Sequence, residues 1–182
     1  MTLKYTLKFF DYWHLSSGLS AGAKLDSTVV KDENSLPYAP GKTIKGLVRE
    51  MAEELNNCSF VNQCFGYSSD EKDRCFEKKG SVCYFTNATL NRELKEQIIS
   101  NNLQNNLYDI IASTEIDKNG IAVDNSLREI EVVLPISLYG EIRDIPEEFI
   151  ETMKKALKLI KRMGLNRNRG LGRCEFVVEE IK

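Results

Sequence analysis

The sequence contains few of the residues on which many enzymes depend: one histidine, one tryptophan and four prolines in 182 residues. It has no apolar run long enough to span a bilayer. No basic and then apolar leader stands at its start, so we expect no signal peptide and a cytoplasmic protein. His14 is the single imidazole, and no carboxylate or second ligand is visible beside it. This isolation favours a structural or stacking role next to Trp13, with catalysis kept as the alternative.

Cysteine occurs in an odd number, five, which argues against a disulfide framework in a chain without a leader. Four of the five lie within 26 residues: Cys58, Cys64, Cys75 and Cys83. The segment 56–85 that holds them is charged in its middle and is unlikely to fold by apolar burial alone. Tetrahedral zinc often holds such segments. Because no C-x-x-C pair is present, a structural zinc site and ordinary core or surface thiols both remain open.

Charge of neither sign dominates, since the formal net charge is −2. A hydrophobic content of 42% and a charged content of 29% are typical of a soluble globular protein. The charges are nevertheless segregated: residues 129–151 are rich in acids, whereas residues 154–173 carry eight lysines and arginines and no acid. A phosphate backbone responds to local basic density, so the overall charge does not exclude RNA as a partner.

A proline elbow that leads into a basic helix is the most informative stretch, from Leu36 to Arg49. Pro37 and Pro40 stiffen the turn, and Gly41 allows a sharp bend or a close approach to a ligand. The helix that follows has an apolar stripe and a separate basic face made of Lys42, Lys45 and Arg49. A helix N-terminus with such cations is a natural phosphate site, although an ordinary solvated amphipathic helix would look the same. A nucleotide-binding P-loop is excluded, because Leu36 stands where its first glycine is required.

The remaining patterns give an order of strand, helix, strand-rich middle, strand, helix and strand. Alternating apolar residues predict strands over 3–9, 129–136 and 174–178, and a short helix is expected over 92–99. A second long helix is predicted to open at Pro146 and to be stopped by Gly164. This order predicts an α+β, ferredoxin-like βαββαβ fold with an insertion between its halves, in a single domain over residues 1–182.

Four stretches together resemble the RAMP (repeat-associated mysterious protein) superfamily, the RNA-handling subunits of CRISPR interference complexes. Pro40 to Arg49 is similar to its P-G-x-x-hydrophobic-K-G-x-hydrophobic-R segment, and the residues after the first strand, 11–18, to its His-containing loop. Phe65-Gly66 with 80–88 resembles a third family segment. The fourth is the glycine-rich loop 164–173, with three glycines and three arginines in ten residues. The resemblance implies guide and target RNA as partners, together with other effector subunits or copies of this chain in a filament-like backbone.

Residue roles also follow from the resemblance. The RNA-binding residues it implies are Lys42, Lys45, Arg49, Lys118, Arg167, Arg169 and Arg173. Residues 26–32 resemble a run in the backbone subunits of type III complexes, which implies that Asp26 cleaves target RNA with a divalent metal such as Mg²⁺. Residues 112–128, with an Asn-Gly turn, resemble the thumb hairpin of those subunits. Two alternatives stay open: a guide-processing endoribonuclease that uses His14, and a non-catalytic scaffold in which Asp26 is an ordinary loop residue.

Overall fold

The structure, a computed structural model, describes residues 1–19, 25–55, 57–66 and 80–180. Its strands are β1 (Leu3–Phe9), β2 (Tyr84–Phe85), β3 (Tyr108–Ser113), β4 (Arg128–Val133), β5 (Ser137–Arg143) and β6 (Cys174–Glu180). Its α-helices are α1 (Gly41–Glu54), α2 (Cys58–Phe65), α3 (Arg92–Ser100) and α4 (Ile150–Leu159). Single turns of 3₁₀-helix cover Gln104–Leu107 and Glu147–Phe149. In the described part of the chain, no helix has the length and apolar character to cross a membrane.

The main sheet has the strand order β2-β5-β1-β6, and every neighbouring pair in it is antiparallel. Helix α1 follows β1 along the chain, α4 lies between β5 and β6, and the two helices pack against each other. This arrangement is the ferredoxin-like fold, so the predicted fold class is confirmed. Strands β3 and β4 form a separate two-stranded sheet, which is inserted between the two halves.

Strand β1 is the centre of the core. Its alternating residues Leu3, Tyr5, Leu7 and Phe9 are all buried, as the sequence pattern predicts. Apolar residues of both long helices are buried in the same core, among them Ile44, Val48, Met153 and Leu157. A period of two on the strand and of about four on the helices therefore puts all these side chains into one apolar layer.

The predicted strand 129–136 is wrong in its end and in its sheet. Strand β4 stops at Val133 and pairs with β3, while the third strand of the main sheet is β5, which the sequence pattern did not reveal. The alternation in β5 is interrupted at Gly140, which lies opposite Tyr5 of β1. A Cβ at this glycine would lie 2.4 Å from the Tyr5 hydroxyl oxygen. The large Tyr5 ring thus requires a residue without a side chain opposite it. That glycine interrupts the alternation of apolar and polar residues by which a strand is recognised in the sequence.

Helix α4 is shorter than predicted, because it ends at Leu159 rather than at Gly164. Beyond it the backbone extends and pairs with the approach to β6. The Cys174 N–H donates to the Lys161 carbonyl at 2.9 Å, and the Met163 N–H donates to the Gly172 carbonyl at 2.9 Å. These main-chain bonds replace the last helical turn that the apolar spacing of this segment had predicted.

Gly41, the first residue of α1, is packed tightly against the chain itself. A Cβ here would lie 2.2 Å from the Phe85 carbonyl oxygen, and the Gly41 N–H donates to the Asn87 side-chain oxygen at 2.8 Å. The predicted elbow and helix start are observed, but the close approach that needs a glycine is made by β2 and the residues after it. One N–H of the helix N-terminus is therefore already satisfied inside the protein.

The first prediction compares two glycines of α1. Gly41→Ala should destabilise the fold by about 1–3 kcal/mol, since the added methyl meets backbone that cannot move away. Gly46→Ala is the control, because Gly46 is exposed and a Cβ there meets nothing within 4 Å. It should stabilise the helix by about 0.5–1 kcal/mol. Urea unfolding of both variants measures the difference, and equal stability of the two would contradict the packing described for Gly41.

Candidate nucleic-acid interface

The glycine-rich loop 164–173 is fastened to the segment that follows β1. The Leu165 N–H donates to the His14 carbonyl at 2.9 Å, and the Gly172 N–H donates to the Tyr12 carbonyl at 2.8 Å. Gly164 and Gly172 both have positive φ, and a Cβ at either would lie within about 2.3 Å of a carbonyl oxygen. Only glycine allows the two segments to come this close, so the glycines of the loop fix its position.

The arginines of this loop point outward. Arg167 and Arg169 are exposed, and the loop turns on Asn166, whose carbonyl accepts from the Arg169 N–H at 2.7 Å. Arg173 is also exposed; its guanidinium lies 3.2 Å from a carboxylate oxygen of Asp11. Rigid backbone with exposed guanidinium forks suits contacts to phosphate oxygens, as the resemblance implied.

His14 is fully buried, and both of its ring nitrogens are bonded. Nδ1 lies 2.5 Å from the Glu131 carbonyl, which can only accept, so Nδ1 carries the proton. Nε2 then accepts from the Ser27 hydroxyl at 3.0 Å. An imidazole so enclosed does not reach a phosphate at the surface, and this geometry supports the structural role that its isolation in the sequence favoured.

Asp26 is exposed and lies beside strand β4. Its N–H donates to the Glu129 carbonyl at 2.9 Å, and its Oδ2 accepts from the Glu129 N–H at 2.8 Å. The next residue, Ser27, forms a parallel bridge with Ile130. The described contacts of Asp26 and of the Ser27 backbone are therefore with strand β4. A carboxylate there combines a structural bond with exposure to solvent.

The cations of α1 differ in how accessible they are. Lys42 is exposed, whereas Lys45 is half-buried. Burial, together with the nearby positive charge of Arg49, lowers the pKa of Lys45. The Arg49 Nε lies 2.7 Å from a carboxylate oxygen of Glu53, and only 18% of its side chain is exposed. Of the three predicted phosphate contacts on this helix, Lys42 is therefore the most available.

The two predicted RNA-binding clusters are not adjacent. Helix α1 begins beside β2, at one edge of the main sheet, whereas the glycine-rich loop leads into β6 at the other edge. Three strand spacings of about 4.8 Å separate these edges by about 14 Å. One phosphate group cannot contact both clusters, but a strand of several nucleotides can.

The predicted hairpin is present. Strands β3 and β4 pair from Tyr108↔Val133 to Ser113↔Arg128, and a further bridge joins Ile116 and Ala122 near the tip. At the tip the Asp117 carboxylate accepts from the N–H groups of Ile121 and Asn119, which lowers the pKa of Asp117. Lys118 is exposed in this turn.

Two of the four predicted zinc ligands are brought together. Cys64 and Cys83 are buried, and the Cys64 S–H donates to the Cys83 sulfur, which raises the pKa of Cys64 and lowers that of Cys83. The Lys45 charge also lowers the pKa of Cys83. Cys58 is exposed, and Cys75 lies outside the described residues. Among the residues that the structure describes, no three metal-binding side chains converge.

One basic surface was not predicted. Lys161, Arg162 and Arg173 line a pocket at the start of β6 together with Phe10. The basic run 154–173 contains these cations, but nothing in the sequence indicates that Phe10, more than 150 positions away, forms the opposite wall.

Comparison with known proteins identifies the family of this chain. The fold defines the chain as a ferredoxin-like α+β protein with a rigid basic loop. A family model described as the RAMP superfamily matches residues 6–175, and the chain therefore belongs to the RAMP superfamily. The family inferred from its motifs is confirmed.

Solved structures share the fold across almost the whole chain. A chain in the cryo-EM structure of the type III-B Cmr-beta bound to cognate target RNA is 11% identical, with a TM-score of 0.74 and coverage of 98% of this chain and 97% of that one. A chain in the apo state of the type III-B Cmr-beta is 12% identical, with the same TM-score and coverages. At such identity the likeness concerns the fold. No curated protein sequence matches the chain.

The zinc prediction can be tested by elemental analysis. If Cys58, Cys64, Cys75 and Cys83 hold zinc, protein purified without chelator should contain about one zinc per chain, and Cys64→Ser or Cys83→Ser should lose it. Cys174→Ser is the control, because Cys174 is buried at the start of β6, opposite Phe9 of β1, and is not one of the predicted ligands. Absence of zinc from the wild-type protein would leave Cys64 and Cys83 as a pair of core thiols.

Proposed function

We propose that this RAMP protein is a guide-RNA-binding backbone subunit of a type III-like CRISPR ribonucleoprotein. The observation that carries the proposal is the glycine-rich loop, whose backbone is fixed by main-chain bonds while Arg167 and Arg169 face solvent. Because the loop backbone is already fixed, binding of phosphate has to order only the arginine side chains. Family membership and the shared fold with Cmr-beta chains support the same class of function.

The guide strand would cross the sheet from one basic cluster to the other. Lys42 would contact it near the start of α1, and the loop arginines near β6, at least about 14 Å away by strand spacing. Contacts of this kind hold the sugar-phosphate backbone without reading the bases, so they are compatible with many guides. Neighbouring copies or sister subunits would extend the same track.

Target RNA would pair with the guide beside the hairpin. The tip of the hairpin is exposed and apolar, with Ile116 62% and Ile121 65% exposed, and it carries Lys118. An apolar tip of this kind can insert between stacked bases, and this is the role that we assign to the thumb-like hairpin. Asp26 is bonded to Glu129 of β4 in the same hairpin, so target RNA that lies along the hairpin would pass near its carboxylate.

Cleavage by Asp26 is the second part of the proposal. The carboxylate would accept the proton of a ribose 2′-hydroxyl, whose oxygen then attacks the adjacent phosphorus. The 5′-oxygen leaves, and the products carry a 2′,3′-cyclic phosphate and a 5′-hydroxyl. A bound Mg²⁺ would supply Lewis-acid stabilisation of the phosphate charge, and the Asp26 oxygens are hard ligands of the kind it prefers. A guide-processing role for His14 is not proposed, because its imidazole is buried and bonded at both nitrogens.

The RNA track predicts a change in salt dependence. Replacing Lys42, Arg167 and Arg169 with glutamine should weaken binding of all single-stranded RNA sequences and reduce the slope of log affinity against log salt by about 2, near 0.7 per contact. Arg92→Gln is the control, since this exposed cation lies on helix α3, outside both clusters. Equal slopes in wild type and triple variant would refute the placement of the track.

The Asp26 proposal is tested by two substitutions with different structural effects. Asp26→Asn keeps an oxygen that can accept from the Glu129 N–H, whereas Asp26→Ala removes it. If the charge supports catalysis, both variants should cut target RNA about 100-fold to 10,000-fold more slowly in the assembled complex, with unchanged target affinity. Wild-type cleavage by Asp26→Asn would show that the aspartate is structural and that the subunit is a scaffold.

A further inference from the structure

A pocket of about 350 Å³ lies where β1 ends and β6 begins, lined by Phe10, Lys161, Arg162, Arg173, Cys174 and Glu175. Its walls come from three separate segments that are joined by main-chain bonds. The Phe10 N–H donates to the Arg173 carbonyl at 2.9 Å, and the Cys174 N–H donates to the Lys161 carbonyl at 2.9 Å. The backbones of Arg162 and Arg173 form an antiparallel β-bridge. The fold therefore fixes the backbone of the pocket, and the exposed side chains that line it are carried on that backbone.

The walls of the pocket combine an aromatic ring, cations and a carboxylate. Phe10 is 38% exposed, and the Arg173 guanidinium lies 5.4 Å from the centre of its ring. Lys161 and Arg162 are exposed beside it, and Glu175 is the single carboxylate of the lining. A flat aromatic face can stack a base, and a group of cations can bind its phosphate. The one carboxylate can accept a hydrogen bond from an amino group on the edge of the base.

We infer that this pocket takes one unstacked nucleotide of the bound single strand, an inference that rests on the proposed RNA-binding function. The base stacks on Phe10, and its phosphate lies against Lys161, Arg162 and Arg173. Glu175 accepts from an exocyclic amino group, which favours cytidine over uridine because uridine presents a carbonyl oxygen at that position. A second groove continues along β6 and shares Lys161 and Glu175 while adding Lys158, so the neighbouring phosphate also meets a cation.

Phe10→Leu tests the stacking contact. Binding of oligo(C) of about twelve nucleotides to the purified chain should weaken about fivefold to 150-fold, while the salt slope stays unchanged because no charge is lost. Leu94→Ala is the matched control, since Leu94 is 39% exposed and lies on helix α3, outside the pocket and both basic clusters. Its affinity should equal that of wild type. Thermal unfolding should show that both variants are folded.

Glu175→Gln tests the base preference. The wild-type chain should bind oligo(C) about fivefold more tightly than oligo(U), and the substitution should reduce this ratio towards one. Wild-type affinity in Phe10→Leu, or an equal loss in Leu94→Ala, would overturn the pocket while the proposed function stands. A wild-type chain that binds no RNA would instead overturn the proposed function itself.

Discussion

The buried imidazole of His14 is the constraint on which the functional surfaces depend. Its ring joins the Glu131 carbonyl to the Ser27 hydroxyl, and its own carbonyl accepts from Leu165. One residue thus connects the hairpin, the segment that carries Asp26 and the glycine-rich loop. A buried histidine bonded at both ring nitrogens and at its carbonyl oxygen is costly to move, because any shift leaves a donor or acceptor unsatisfied. The relative positions of the three surfaces therefore follow from one small hydrogen-bonded centre.

Acidic and basic residues are segregated along the chain. Acidic residues are concentrated in 129–151 and basic residues in 154–173, so the net charge of −2 conceals a strongly basic side. Some acids inside the first segment serve the structure: Glu131 accepts from the Val29 N–H and pairs with Lys31 at 2.7 Å. In the glycine-rich loop, the described ion pair is the one between Arg173 and Asp11. Basic side chains on a rigid loop at one sheet edge are what RNA would meet first.

Sequence patterns predicted the elements whose side-chain period is regular, and missed those that depend on contacts between distant segments. Strand β1 and helix α1 were recognisable because their buried residues recur at spacings of two and of about four. Strand β5 was not, because Gly140 interrupts its period to make room for Tyr5. Asp26 was identified as a candidate by resemblance, but its bond to Glu129 spans 103 positions and cannot be deduced from local spacing. The pocket at Phe10 was missed for the same reason.

Identification of the RNA that accompanies the protein in cells tests the central claim most directly. The chain should be purified under mild salt from cells that express it with its natural neighbours, and any bound nucleic acid extracted and sequenced. The account predicts a high ratio of absorbance at 260 nm to that at 280 nm, with guide-length RNAs that share one repeated end and differ elsewhere, because backbone contacts do not select sequence. A protein recovered with its partner subunits but without RNA would contradict it.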